Sequence, residues 1–168
     1  MTFRHLILFV AALTVGALPS KALSLPNGAK EGDLTIVHIY TGWREAASFK
    51  RIAEYFHGQE NTGGEAILRT HPDQRGGFYF LVRTTNTGAA RAIKVNLEVI
   101  TTANAQPVSY TFSPALKAGG TVFHLGLTGP DWPEAKINPV AWKLDLVDAE
   151  GHVLATEKSY LWEKPAAK

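Results

Sequence analysis

The sequence predicts a mainly β fold, an antiparallel two-sheet sandwich with one amphipathic helix after the first strand. About eight short apolar runs follow one another at intervals of roughly 8 to 14 residues, bounded by Gly, Pro, Asn and Asp. One stretch alone has helical periodicity, so few β-α-β units could form and a helix-covered parallel sheet is not expected. A closed barrel is the alternative fold.

The N-terminal residues have the three parts of a secretory signal peptide. Arg4 precedes an apolar run over 6–15, and small residues follow near Ala22. The run is shorter than the roughly 20 residues that a membrane span needs. We therefore expect residues 1–22 to be a signal peptide cleaved after Ala22, with Ala17 as the second choice, and the protein to be exported to the periplasm or secreted.

Removal of the signal peptide makes the chain electrically neutral. The full chain has 17 Lys and Arg against 15 Asp and Glu, and residues 1–22 contain Arg4 and Lys21 but no acidic residue. The remaining balance is 15 against 15. Nucleic acids and anionic membranes are bound mainly by clustered Lys and Arg, so neither is an expected partner, and no membrane insertion is expected after cleavage.

Cysteine is absent and Met1 is the one methionine, which excludes disulfides, zinc-thiolate sites, blue copper and thiol catalysis. No cofactor is predicted. About 146 residues remain after cleavage, enough for one domain with its own core. We assign 23–33 to a flexible leader, 34–163 to a single domain and 164–168 to a tail.

The first strand is predicted over 34–41, where "LTIVHIYT" is apolar on both faces, as in a strand buried on each side. A helix is predicted next, over 43–57, with Gly58 after its last turn. Its apolar positions recur at helical spacing and should form one buried stripe, because several large exposed side chains would leave an apolar patch. These positions are Phe49, Ile52, Ala53 and Phe56.

The rest of the domain alternates like strand. In the run 91–102, apolar residues at 93, 95, 97 and 99 alternate with polar ones, which indicates one buried and one solvated face. The sequence "DAEG" suits a type I turn with Gly151 in the left-handed conformation, as in a three-residue hairpin loop. The strands predicted after the helix are 65–71, 78–86, 91–102, 108–112, 121–127, 140–148 and 152–162.

This succession of short strands resembles the architecture of immunoglobulin-like and fibronectin type III-like domains of exported bacterial proteins. The resemblance implies a core between two sheets. The cysteine pair of antibody domains is absent, so no particular family is implied.

The first functional hypothesis is a non-catalytic interaction or assembly module. The outward face of the helix should carry Arg44, Lys50, Arg51 and Glu54. Together with the Gly-rich loop 58–64, this face is the predicted contact surface, because loops on a rigid scaffold commonly carry binding. The expected partner is another exported protein or a glycan.

The second hypothesis is a carbohydrate-binding module, in which exposed tryptophans stack on sugar rings. Trp132 lies between prolines in "GPDWPE", and Trp43 opens the predicted helix, so these two are the candidates. Trp142 shares a strand face with apolar residues and is assigned to the core.

The third hypothesis is a metal-binding protein or a metal-dependent enzyme. His71 and Asp73 stand two residues apart in "RTHPD", and His57 ends the predicted helix, so the three could supply imidazole and carboxylate ligands. The same sequence also suits a simple turn. The chain contains no HExxH pair and no GxSxG sequence, and no catalytic residue is assigned.

Overall fold

The computed structural model describes residues 33–163. The predicted signal peptide (1–22), nearly all of the predicted leader (23–33) and the predicted tail (164–168) lie outside the described residues. Within these residues the fold is mainly β, with several sheets and no closed barrel. The strands are β1 Leu34–Arg44, β2 Ala66–Arg69, β3 Gly77–Asn86, β4 Arg91–Ala92, β5 Lys94–Thr101, β6 Val108–Phe112, β7 Ala115–Leu116, β8 Gly119–Thr128, β9 Pro139–Val147 and β10 Val153–Lys158. The α-helix of this described part, α1, spans Ile52–His57, and 3₁₀ helices span Ala46–Phe49, Gly129–Asp131 and Tyr160–Glu163.

Two four-stranded sheets and one small two-stranded sheet contain these strands. The first sheet has the order β1-β3-β8-β2, the second has the order β10-β9-β5-β6, and β4 pairs with β7. Every pairing in the described part of the chain is antiparallel except that of β2 with β8, which is parallel. The predicted antiparallel arrangement therefore fails at this one edge of the first sheet.

The parallel edge arises from the path of the chain between β1 and β2. These strands run in the same direction at opposite edges of the first sheet, so residues 45–65 must cross that sheet. We call 45–65 the crossover segment. It crosses the face turned away from the second sheet, where Phe49 packs on Tyr79 with ring centroids 4.8 Å apart.

The core lies on the opposite face of the first sheet. Buried side chains from both four-stranded sheets join in one hydrophobic cluster. The alternation predicted in 91–102 is confirmed, because Val95, Leu97 and Val99 of β5 are buried in this cluster and alternate with more exposed residues. Fully buried members of the cluster include Phe80, Val82, Val95, Leu97, Phe123, Leu125, Leu144 and Leu146.

Burial of β1 on both faces is not found. β1 is an edge strand, with Val37, His38 and Tyr40 exposed, although Leu34 is buried and Ile39 packs against the core. The apolar character of "LTIVHIYT" therefore did not distinguish a central from an edge strand. The predicted hairpin turn is found: Gly151 has φ 91° and donates its N–H to the Asp148 carbonyl.

The predicted helix 43–57 is divided. Trp43 and Arg44 still belong to β1, where they pair with Phe78 and Gly77, and the 3₁₀ helix Ala46–Phe49 follows. Lys50 and the N-cap of α1 are extended, so only the last six residues form an α-helix. That helix ends as predicted at Gly58, which has φ 66° and donates to the Glu54 carbonyl.

Because of this break, the apolar residues of the predicted stripe do not lie on one buried face. Phe49 is 7% exposed, whereas Ile52 and Phe56 are each 79% exposed and Ala53 is only half-buried. Two extended residues between the helices remove the i, i+3 relation between Phe49 and Ile52, so they no longer share a face. No helix in the described residues is long and apolar enough to span a bilayer.

Candidate functional site

A row of four residues across the first sheet forms the floor beneath the crossover segment. Gly42, Tyr79, Gly126 and Arg69 are neighbours on adjacent strands. A Cβ atom on Gly126 would lie 2.5 Å from Cε1 of Tyr79, so the missing side chain allows the ring to lie over this strand. The Tyr79 hydroxyl thereby accepts a 2.9 Å hydrogen bond from Nε of Arg69 and donates one to the Arg75 carbonyl.

Arg69 connects this floor to the loop after α1. Its side chain is 6% exposed and makes a bidentate pair with Glu60, with Nη2 to Oε1 at 2.6 Å and Nη1 to Oε2 at 2.9 Å. The Arg69 guanidinium also lies 5.0 Å from the centroid of the Phe49 ring. Hydrogen bonds from Arg69 lower the pKa of Glu60 despite partial burial, so this carboxylate stays charged.

A second ion pair attaches α1 itself. Glu54 contacts Nη1 of Arg75, and Arg75 Nε lies 3.5 Å from Oε2 of Glu60. Glu54 therefore points toward the sheet and is not on the outward face, where the sequence analysis placed it. Arg75 lies between the carboxylates of Glu54 and Glu60, and its ion pair with Glu54 holds α1 to the domain.

The opposite side of α1 carries a compact apolar surface. Ile52, Tyr55 and Phe56 are 79%, 75% and 79% exposed, and we call these three residues the α1 patch. The ammonium group of Lys50 lies 6.0 Å from the centroid of the Tyr55 ring. Lys50 is itself exposed, so a cation borders the patch.

A polar cleft of about 420 Å³ lies beside α1 on the outer face of the first sheet. We call it the Arg44 cleft. Within the cleft, Nη2 of Arg51 lies 2.9 Å from Oε1 of Glu65. The guanidinium of Arg44 lies 5.9 Å from the centroid of the Phe49 ring. The lining residues are Arg44, Ser48, Phe49, Arg51, Asn61, Glu65, Ile67 and His124.

His124 is the buried polar residue of this cleft. Its side chain is 10% exposed, Nδ1 is buried without a hydrogen-bond partner, and Nε2 lies 3.7 Å from Oε2 of Glu65. Burial lowers the pKa of His124; Glu65 opposes this effect and Arg44 adds to it. His124 is therefore packed into the sheet without a hydrogen-bond partner for Nδ1 among the described residues.

The tryptophans do not form an exposed pair. Trp132 is 2% exposed, stacks on Phe78 with centroids 4.8 Å apart, and donates its indole N–H to the Ile137 carbonyl. The carbohydrate hypothesis requires an exposed Trp132, and this requirement is not met, because the residue anchors its loop in the core. Trp43 is half-buried and donates to Oε1 of Glu45 at 2.7 Å.

The three metal-ligand candidates do not form a cluster among the described residues. His71 Nε2 lies 3.1 Å from Oδ2 of Asp131, Asp73 is exposed in the turn, and His57 is exposed at the end of α1. Asp148 and Glu150 do approach His152 at the tip of a hairpin. There Asp148 Oδ1 accepts a 2.7 Å hydrogen bond from the backbone N–H of His152, as a turn residue does.

Sequence reasoning missed the Arg69, Glu60, Tyr79 and Arg75 network. These four side chains come from a loop and three separate strand or turn segments, and the sequence alone does not show that they meet. One signal was present, an isolated Gly126 inside the predicted strand 121–127, because glycine within a strand commonly marks a close approach of another group.

Comparison of the chain with protein-family models, with curated proteins and with solved structures gives no match in any of the three.

Proposed function

We propose that this chain is an exported, non-catalytic interaction module that binds another protein through α1. The observation that carries the proposal is the α1 patch, in which three large apolar side chains stand together in solvent. Contiguous exposed apolar surface is a common mark of a protein contact site. Aromatic residues such as Tyr55 and Phe56 are also enriched among the residues that dominate binding energy.

The attachment of α1 supports a binding role. A helix of six residues is too short to be stable by itself, so its position depends on tertiary contacts. The Glu54 and Arg75 pair supplies such a contact on the face opposite the patch. The patch is therefore presented on an element held before binding, which reduces the entropy lost when a partner binds.

The charges around α1 indicate the chemistry of the partner. Glu54, Glu60 and Glu65 are all engaged with arginines. Within the described residues, neither Lys50 nor Arg44 has a carboxylate oxygen within the 4.0 Å that defines an ion pair. An apolar protein surface that bears acidic side chains at its rim would complement both features.

The scaffold in this proposal is a two-sheet sandwich of the immunoglobulin-like or fibronectin type III-like kind, secreted or periplasmic after loss of residues 1–22. Two four-stranded sheets that share one hydrophobic cluster support the sandwich. The charged start, apolar run and small residues of the first 22 positions support export.

The test is site-specific photo-crosslinking in the native host. A photoreactive residue at position 55 should attach covalently to one protein of the exported fraction, identified by mass spectrometry. Ile52→Ser with Phe56→Ser should abolish that product, whereas Tyr160→Ser, which removes an aromatic side chain 89% exposed elsewhere, should leave it. An undiminished product in the double variant refutes the proposal, and attachment to a second copy of this chain would replace the partner with a self-interaction.

A further inference from the structure

We propose that the Arg44 cleft binds a carboxylate group, with Arg44 as its ion-pair partner, and that an acidic side chain of the protein bound at the α1 patch supplies it. Only the source of the carboxylate rests on the proposed function. The preference of the cleft for a carboxylate rests on its own charges and hydrogen-bonding groups.

The charges of the cleft leave one cation unbalanced. Arg51 and Glu65 neutralise each other through the 2.9 Å contact between Nη2 and Oε1. Arg44 has no ion pair among the described residues, and its guanidinium lies by the ring of Phe49. A singly charged anion is matched to this surplus, whereas Glu65 in the cleft wall disfavours a doubly charged phosphate.

One polar group in the wall is available to a ligand. Asn61 uses Oδ1 to accept from the N–H of Gly63 at 2.8 Å, and its amide nitrogen has no acceptor within the described part of the chain. His124 lines the same cleft and serves as a reporter of binding, but its Nδ1 atom is fully buried and is not a ligand contact. A carboxylate can accept hydrogen bonds both from the Asn61 amide and from the Arg44 guanidinium, which line the same cleft.

The fold brings these groups together from distant parts of the chain. Arg44 ends β1, Asn61 lies in the crossover segment, and His124 occupies the outer face of β8 beside Ile67 of β2. Arg51 lines the cleft and immediately precedes Ile52. The cleft therefore adjoins the α1 patch, so one partner can contact both.

The test uses the full chain and two related probes, N-acetylaspartate N-methylamide and the corresponding asparagine compound. Binding of each probe is measured from NMR shifts of the His124 ring and of the Asn61 side-chain amide. The acid should bind with a Kd of about 1 mM, as expected for so small a ligand, and the amide should not bind. Arg44→Gln should weaken the binding about tenfold or more, through loss of a charge-assisted contact. The matched control Arg83→Gln, which removes an exposed arginine from β3 of the same sheet, should leave the Kd unchanged.

A second variant guards against a folding defect in Arg44→Gln. Asn61→Asp keeps the acceptor for Gly63 and replaces the amide donor with a negative charge, so it should also abolish binding of the acid. Equal binding of the acid and the amide, or equal loss in Arg44→Gln and Arg83→Gln, would overturn the carboxylate site.

The source of the carboxylate is tested with the photo-crosslinked partner. Arg44→Gln should reduce the yield of that product, and an unchanged yield would overturn the assignment to the partner's acidic side chain. Failure of the proposed function is distinguishable, because Phe56→Ser should remove the cross-linked product while the aspartate compound still binds.

Discussion

Glu60→Gln should lower the free energy of unfolding by about 2 to 4 kcal/mol, because it removes one charge from a largely buried pair. The Arg69 side chain is 6% exposed and that of Glu60 23%, and the two hydrogen bonds between them are 2.6 and 2.9 Å long. Glutamine keeps one acceptor and turns an amide N–H toward the guanidinium. Breaking a buried pair costs roughly 3 to 5 kcal/mol. The retained bond from Arg69 Nε to the Tyr79 hydroxyl reduces that value here.

The assay is a urea titration followed by tryptophan fluorescence and circular dichroism, with coincident transitions as the check for two-state unfolding. The matched control is Glu134→Gln, which removes the same charge from a pair with Lys136 in which both side chains are more than half exposed. Its midpoint should not move, because exposed ion pairs contribute little.

A loss below about 1 kcal/mol for Glu60→Gln would refute the argument that this pair holds the crossover segment. The double variant Arg69→Met with Glu60→Gln gives a further check. Removing both charges and keeping an unbranched apolar side chain should recover part of the loss. A double variant less stable than either single variant would show that the charges do not act as a pair.

The other predictions concern the crossover segment, acid and export. Phe49→Ala should lower the free energy of unfolding by about 3 to 5 kcal/mol in the same titration, because its ring is buried. Phe56→Ala should change it by no more than about 0.5 kcal/mol, because that ring is in solvent. Similar losses in both variants would place the Phe56 ring in the core. Hydrogen bonds from Arg69 lower the pKa of Glu60, so the stabilisation is complete above the unfolded carboxyl pKa of about 4.3 and is lost as the pH falls through the lower folded value. The stability difference between wild type and Glu60→Gln should therefore shrink in acid, and a difference that grows would contradict the assignment. Intact-mass measurement of exported material should give Leu23 as its first residue, and retention of 1–22 would remove the case for export.

Local chemistry was enough to predict most strands and turns. The strand 108–112 has its predicted bounds, and the turn at Gly151 has the conformation that its sequence implied. In these places the conformation that a residue favours locally is the one that the fold requires, as in β5, where apolar residues alternate with polar ones. The edge position of β1 was not predictable, since edge and central strands differ in neighbours that the sequence does not name.

The helix shows where local pattern is insufficient. The spacing of Phe49, Ile52 and Phe56 correctly marks apolar positions, but the same spacing describes a stripe that packs on the domain or one that faces solvent. Tertiary contacts decide between these two outcomes. Trp43 and Arg44 remain in the β ladder, so the helix starts late.

The side of α1 that packs on the domain is decided by residues outside it. Gly126 leaves room for the Tyr79 ring, and that ring holds Arg69 in place. Arg69 in turn pairs with Glu60, and Arg75 lies between Glu60 and Glu54. Turning α1 over would take Glu54 away from the largely buried Arg75, and a buried charge that loses its partner is costly, so the charged side of α1 faces the domain. The same arrangement that holds the helix therefore leaves its apolar side in solvent, where a partner can reach it.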